Sequence, residues 1–200
     1  PPDRIASYNP DIPQLTGTDY LIVTHPLFEE QANRIAAQKR RDGYRPVVVD
    51  VENAYDAFSA GVVEANAIHE LIRQWARGNR ARHVLLVGDA TYDFKNNWNL
   101  TPAPVNHVPA WLISTAYLGE TATDERYVQF DAEGGLSRMA IGRLPSATLA
   151  QAEAMVAKIV AYESAANTKG WQRRLVLAAD NLIEEWESVF VPFVRAARRR

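Results

Sequence analysis

The chain has 200 residues, is 47% hydrophobic and 10% aromatic, and carries a formal net charge of -2. That composition suits one sizeable folded domain, or one domain and part of a second, and its weak field gives nucleic acid no electrostatic footing. It contains no cysteine, which excludes disulfides, thiolate metal sites and thiol chemistry by this chain alone.

Residues 1–18 hold four prolines and little periodicity and read as a lead-in linker. No run approaches the roughly 18 apolar residues of a membrane span. The start, Pro1-Pro2-Asp3-Arg4, lacks the charged-then-apolar layout of a signal peptide and reads as a cut within a longer protein. Arg198-Arg199-Arg200 reads as a solvated helix end, and as a second truncation point.

Tyr20-Leu21-Ile22-Val23 is a short apolar run, a buried strand. Pro26 fits a first helical turn, Phe28, Ala32, Ile35 and Ala36 follow at helical spacing, and Gly43 stops the helix. Pro46 to Val51 is a second β-branched run. Ala67, Ile68, Leu71, Ile72 and Trp75 mark an amphipathic helix closed by Gly78, and Val84-Leu85-Leu86-Val87 is a third strand ending at Gly88-Asp89. Strands that are continuously apolar and alternate with helices predict an α/β fold of the Rossmann or flavodoxin type, a parallel sheet with helices on both faces.

Residues 89–123 are rich in Asn, Pro, Thr and aromatics and read as a functional loop at the carboxyl edge of the sheet. The alternation in Tyr127-Val128-Gln129-Phe130 ahead of Gly134-Gly135 predicts a hairpin. Met139 to Pro145 is a further strand, and Thr148 with Gln151 has capping-box spacing before a helix whose apolar face is Leu149, Ala152, Met155, Val156, Ile159 and Tyr162. After Gly170, Leu175 to Ala179 predicts another buried strand ended by Asp180, and a last helix contains Val189, Phe190, Phe193 and Val194, distorted by Pro192. There is no internal repeat.

Neither glycine-rich phosphate motif occurs, and the turn after the first strand is Thr24-His25-Pro26, so a Rossmann-type cofactor is not expected. His25, His69, His83 and His107 have no metal-helix spacing, and no serine nucleophile elbow is present. The acids hold more interest. Asp89 and Asp180 directly follow buried strands, where carboxylates either cap the next turn or face a site. Asp89, Asp93, Asp124 and Glu125 together offer an oxygen-only set that suits a structural calcium; no other cofactor is called for.

The order of motifs says more than any one of them. Asp19 to Thr24, Gly43 to Val49, Ala67-Ile68, and His83 to Asp89 are followed by Val108-Pro109-Ala110-Trp111, Thr123 to Tyr127, Ala140 to Pro145 and Lys158 to Glu163. Over roughly residues 19–180 this succession resembles the gingipain-like cysteine peptidases, including the related sortase of the type IX secretion system.

The resemblance implies a caspase-like catalytic domain of two α/β subdomains, secreted or at the cell surface. Residues 19–168 would be the first and residues 169–200 the start of the second, truncated here. It implies peptide-bond hydrolysis by a Cys-His pair beyond residue 200, a protein or peptide substrate, and adjoining domains of the same polypeptide. By position it assigns Asp180 as the acid that orients the histidine, a histidine not in this chain. The fragment alone is then expected to be inactive. The alternatives are a non-catalytic α/β module for binding or secretion that keeps the scaffold, and an unrelated flavodoxin-like domain binding a small ligand at the sheet edge near Asp89.

Overall fold

The structure, a computed structural model, describes residues 9–164 apart from 14, 81–82, 95, 131–136 and 138, together with 170, 174 and 176. The chain divides into two compact units, Pro1–Ser164 and Ala165–Arg200. Asp180 and the last helix lie outside the described residues, and so does the predicted buried strand 175–179 apart from Val176, which is exposed rather than buried.

In the first unit four parallel strands form one sheet. They are β1 (Tyr20–Thr24), β2 (Pro46–Asp50), β3 (His83–Val87) and β6 (Ala140–Leu144), in the order β2-β1-β3-β6. Registers run unbroken: Leu21 pairs with Val47 and with Val84, and Val84 with Ile141. Successive side chains of a strand point to opposite faces, so each strand serves two cores. Leu21, Val23, Val49, Val84 and Leu86 face α2 (Val51–Ser59) and α3 (Ala65–Gly78). Ile22, Val48, Leu85, Val87 and Leu144 face α1 (Glu29–Arg41) and α4 (Leu149–Ser164). The expected parallel sheet with two covered faces is therefore present.

Local chemistry accounts for the helix boundaries. His25 Nδ1 accepts the Leu27 N–H at 3.2 Å and starts a 3-10 turn over Pro26–Phe28 that runs into α1. Gly43 follows α1 with φ +89, the left-handed conformation that glycine accepts without strain. The capping box at α4 forms: Gln151 N–H donates to Thr148 Oγ1 at 3.3 Å, and Thr148 N–H donates back to Gln151 Oε1 at 3.2 Å.

The structure departs from the sequence reading in four places. The second run stops at Asp50, whose Oδ1 accepts the Glu52 N–H at 2.9 Å and caps α2, a helix not expected there. The hairpin is not at 127–130: residues Glu125–Val128 form a 3-10 turn with Tyr127 and Val128 both buried. Adjacent buried residues are incompatible with a half-buried strand. The hairpin is instead β4 (Leu112–Thr115) paired with β5 (Gly119–Ala122), turning at Gly119 with φ +69. On α4, Ala152 and Val156 are buried while Leu149 and Tyr162 are exposed, so its packed stripe is narrower than the periodicity suggested.

The lead-in segment, over residues 9–18, is strapped to the domain. Ile12 and Leu15 pack against the α2/α3 core. Asn79 Oδ1 accepts the Gly17 and Thr18 N–H groups at 2.7 and 3.2 Å, and Trp75 Nε1–H donates to Thr18 Oγ1 at 2.8 Å.

His69 of α3 is held between Trp111 and Phe130, its ring centroid 5.6 and 5.5 Å from theirs. Its Nδ1 lies 3.2 Å from the Tyr127 carbonyl, which can only accept, so Nδ1 carries the proton. Burial pushes the His69 pKa below its ordinary 6.5, outweighing the carbonyl bond and Glu70, which favour the charged form; Arg73 and Arg126 also disfavour it. The unfolded chain therefore binds the proton first, and stability present at neutral pH falls as pH drops below 6.5. The urea midpoint is expected to decline from about pH 7.5 to about 5.5, with a shallower decline in His69→Gln. Equal slopes in the two proteins would refute this assignment.

Candidate functional site

In an open parallel sheet the carboxyl ends of the strands converge on one edge, and the crevice opens where the chain reverses its direction of winding. With the order β2-β1-β3-β6 that point lies between β1 and β3. It is filled by protein. His25 follows β1, and its ring lies 4.4 Å from that of His107, which is in turn 4.9 Å from the ring of Phe28. His107 Nε2 donates to the Ala147 carbonyl at 3.1 Å. Gly88, at the end of β3, has φ +143, and a Cβ there would stand 2.9 Å from His107 Cβ and 3.0 Å from Val108 Cγ2. Only glycine lets the 107–108 segment lie this close. Side chains thus occupy the β1/β3 crevice, while the edge beside Asp89, where the small-ligand reading placed its ligand, keeps an open cleft.

The next feature along the edge is Arg143 on β6. Its side chain is 11% exposed. Nε donates to Asp124 Oδ2 at 2.8 Å and Nη2 to Asp124 Oδ1 at 2.7 Å, a bidentate pair. Nη1 donates to the carbonyls of Gly88 and Val108 at 2.9 and 2.6 Å, and Nη2 to that of Pro109 at 3.1 Å. All five guanidinium N–H groups are used. Tyr127 adds its hydroxyl, donating to Pro109 O at 2.6 Å, and burial pushes its phenol far above its ordinary pKa, so it stays neutral. One side chain thus ties β6, the end of β3, the 108–109 segment and the turn after Asp124 into a single block.

Sequence reasoning set Ile141-Gly142-Arg143-Leu144-Pro145 apart as a motif without assigning Arg143 a role. The available signal was a charge in an otherwise apolar strand, which requires a partner when buried.

The carboxylates expected to hold calcium are placed as follows. Asp124 spends both oxygens on Arg143. Asp93 accepts from Trp98 N–H at 2.9 Å and from Asn97 N–H and Nδ2 at 2.8 and 3.0 Å; these bonds, the one from Trp98 foremost, hold its carboxyl below its usual pKa. Asp89 Oδ1 accepts the Ala90 N–H at 2.9 Å, so Asp89 does cap its own turn. Glu125 is exposed in the 3-10 turn. Among the described residues no three acids or histidines gather closely enough to hold a metal. A guanidinium on Asp124 and amide donors on Asp93 do not fit a divalent cation.

Beside Arg143 this edge holds a pair of clefts, and a further one of about 340 Å³ lies by Thr24 and Asp50 at the ends of β1 and β2. The first, about 290 Å³, lies between Asp89 to Tyr92 and the hairpin residues Leu112 and Ala122, with the Arg143–Asp124 pair at one side. The second, about 270 Å³, continues past Thr91, Ala110 and Leu112 to Val63, Phe94 and Trp111. The described residues at this edge offer hydrogen-bond donors, one partly free carboxylate and apolar walls. Such groups can contact and position a bound molecule; the cysteine-free chain supplies no thiol.

The model of Peptidase family C25 matches residues 14–197. The chain belongs to Peptidase family C25. Among solved structures, dimeric latent PorU from Porphyromonas gingivalis is similar over 79% of this chain and 17% of its own, with TM-score 0.65 and 21% identity. The Arg-specific cysteine proteinase gingipain R is similar over 78% of this chain and 30% of its own, with TM-score 0.53 and 22% identity. At these identities the likeness is one of fold. No curated protein matches the chain. This C25 chain therefore spans less than a third of either solved relative, and no helix among its described residues is long and apolar enough to cross a membrane.

Proposed function

We propose that this chain is the scaffold portion of a cysteine endopeptidase that cleaves polypeptides at the cell surface or after secretion. The observation that carries the reading is the C25 match over residues 14–197 of a chain that has no cysteine. The thiol and its histidine then come from sequence beyond these 200 residues. Two features support a scaffolding role. The motif arginine is saturated by structural partners, and the switch-point crevice is packed with side chains. Asp180, directly after the apolar run Leu175 to Ala179, is the residue assigned to orient the imidazole. Its carboxylate would accept the imidazole N–H, select the tautomer and stabilise the imidazolium as the thiol ionises.

The test compares two preparations against a mixed peptide library. The 200-residue chain alone is expected to release no new amino termini. The complete gene product is expected to hydrolyse peptides and to lose that activity on alkylation of its cysteine. A complete protein with no turnover under reducing conditions would instead support a binding or secretion module that has kept the scaffold.

A further inference from the structure

We infer that a cleft at the amino edge of the sheet binds a phosphomonoester carried on an apolar body. The cleft, about 420 Å³, lies between the last turns of α3 and the segment that leads into β6. Two of its lining residues, Arg80 and Met139, come just before β3 and β6. It therefore sits at the strand ends opposite to Asp89 and apart from the clefts beside Arg143.

Charge sets the head group. Arg73 and Arg77 share one face of α3 at i, i+4 spacing, and Arg80 follows Asn79, where the backbone leaves the helix in an extended conformation. Arg73 is neutralised by Glu70, its Nη2 lying 2.6 Å from Oε2. Arg77 and Arg80 are exposed and form no ion pair among the described residues. No acid stands among the described lining residues. The negative end of the α3 dipole, worth about half a charge, offsets only part of these two cations. Asn79 Nδ2 also donates to the Trp75 carbonyl at 2.8 Å, which covers one of the terminal acceptors. Two unneutralised guanidiniums match a phosphomonoester, which carries about -1.5 to -2 at pH 7, and their planar forks fit its oxygens. A monocarboxylate would leave one of them unpaired.

Size and walls set the body. The volume falls within the range of small-molecule pockets, roughly 300–1,000 Å³, and exceeds what a bare oxyanion fills. The remaining wall is apolar, made by Ala76, Phe130 and Met139. Phe130 is half-buried against the α3 core, its ring centroid 5.5 Å from that of His69, and Met139 is buried. An alkyl or aryl group on the phosphate packs on this wall while the head meets the arginines. Such an ester can be a lipid headgroup or a soluble metabolite.

The test is calorimetric titration of the chain with hexyl phosphate and with methyl phosphate. Hexyl phosphate is expected to bind at least about tenfold more tightly, since its additional methylenes leave water. Arg77→Gln with Arg80→Gln, both at exposed positions, is expected to weaken hexyl phosphate about tenfold or more through loss of two charge-assisted contacts. Arg40→Gln with Arg41→Gln removes the same charge from the exposed end of α1 and is expected to leave the affinity unchanged. Vesicles of phosphatidylcholine with and without phosphatidic acid distinguish the sources. Retention that requires phosphatidic acid and both cleft arginines assigns a lipid headgroup; binding of hexyl phosphate without retention assigns a soluble ester. Absence of hexyl phosphate binding, equal affinity for the two esters, or an equal effect of the two double variants would overturn the inference. None of these readouts depends on hydrolysis, so the peptidase reading stands or falls separately.

Discussion

Replacing Arg143 with methionine is expected to lower the free energy of unfolding by roughly 3–5 kcal/mol, as removal of one partner from a buried ion pair does. Methionine approximates the volume of the aliphatic stem, so lost packing is a minor part. The loss comes from what is left behind: the Asp124 carboxylate and the carbonyls of Gly88 and Val108 would lose their Arg143 donors, while that of Pro109 keeps the Tyr127 hydroxyl. Asp124 is 28% exposed, which lets water offset part of its penalty and keeps the expectation near the lower end of the range.

Lysine keeps the charge but presents three donors from a single point, against five in a planar fork. Arg143→Lys should therefore recover less than half of the loss. Urea denaturation of the three proteins measures this directly through the midpoint at constant slope. A loss in Arg143→Met below about 1 kcal/mol, the value of an exposed pair, would mean that water replaces the guanidinium and that the block is not held by this residue.

The fold was legible in the sequence wherever a strand is buried on both faces. Leu21 to Val23 and Val84 to Val87 are apolar at every position because alternate residues feed two different cores. The same reading ran past the end of β2, since Val51 continues a β-branched run although it is the first residue of a helix. Asp50 was the missed signal, a capping residue followed by apolar positions Val51, Ala54, Tyr55 and Phe58 at helical spacing. Tyr127 to Phe130 misled for a related reason. Alternation of side chains describes a strand only when one face is solvated, and here Tyr127 is drawn inward by the Pro109 carbonyl and the His69 face of α3.

The site was legible only as a set of motifs. Asp124 and Arg143 both stood in motifs along the chain, but Arg143 meets Asp124 and the Gly88 carbonyl across 19 and 55 residues. Spacing along the sequence carries no record of such contacts. The calcium expectation rested on such a list, and an acid-rich list looks the same whether the oxygens face a metal, a guanidinium or backbone amides. The plugging of the β1/β3 crevice was equally hidden, because His25 and His107 meet only once Gly88 brings their segments together.

The chemistry proposed for the complete protein turns on Asp180, which stands outside the described residues. Asp180→Asn preserves size and one acceptor oxygen but removes the charge that stabilises an imidazolium and allows the wrong tautomer to be held. In such arrangements a loss of this kind costs roughly 10²–10⁴-fold in turnover. A structural role would lower stability instead, and would leave the pH–rate profile of the folded fraction in place.

The deciding measurement is the pH–rate profile of peptide hydrolysis by the complete protein and its Asp180→Asn variant, each corrected for the folded fraction. The account predicts a fall in kcat of at least about a hundredfold, with the profile displaced because the histidine has lost its stabilising carboxylate. A folded Asp180→Asn protein with unchanged turnover and an unmoved profile would contradict it.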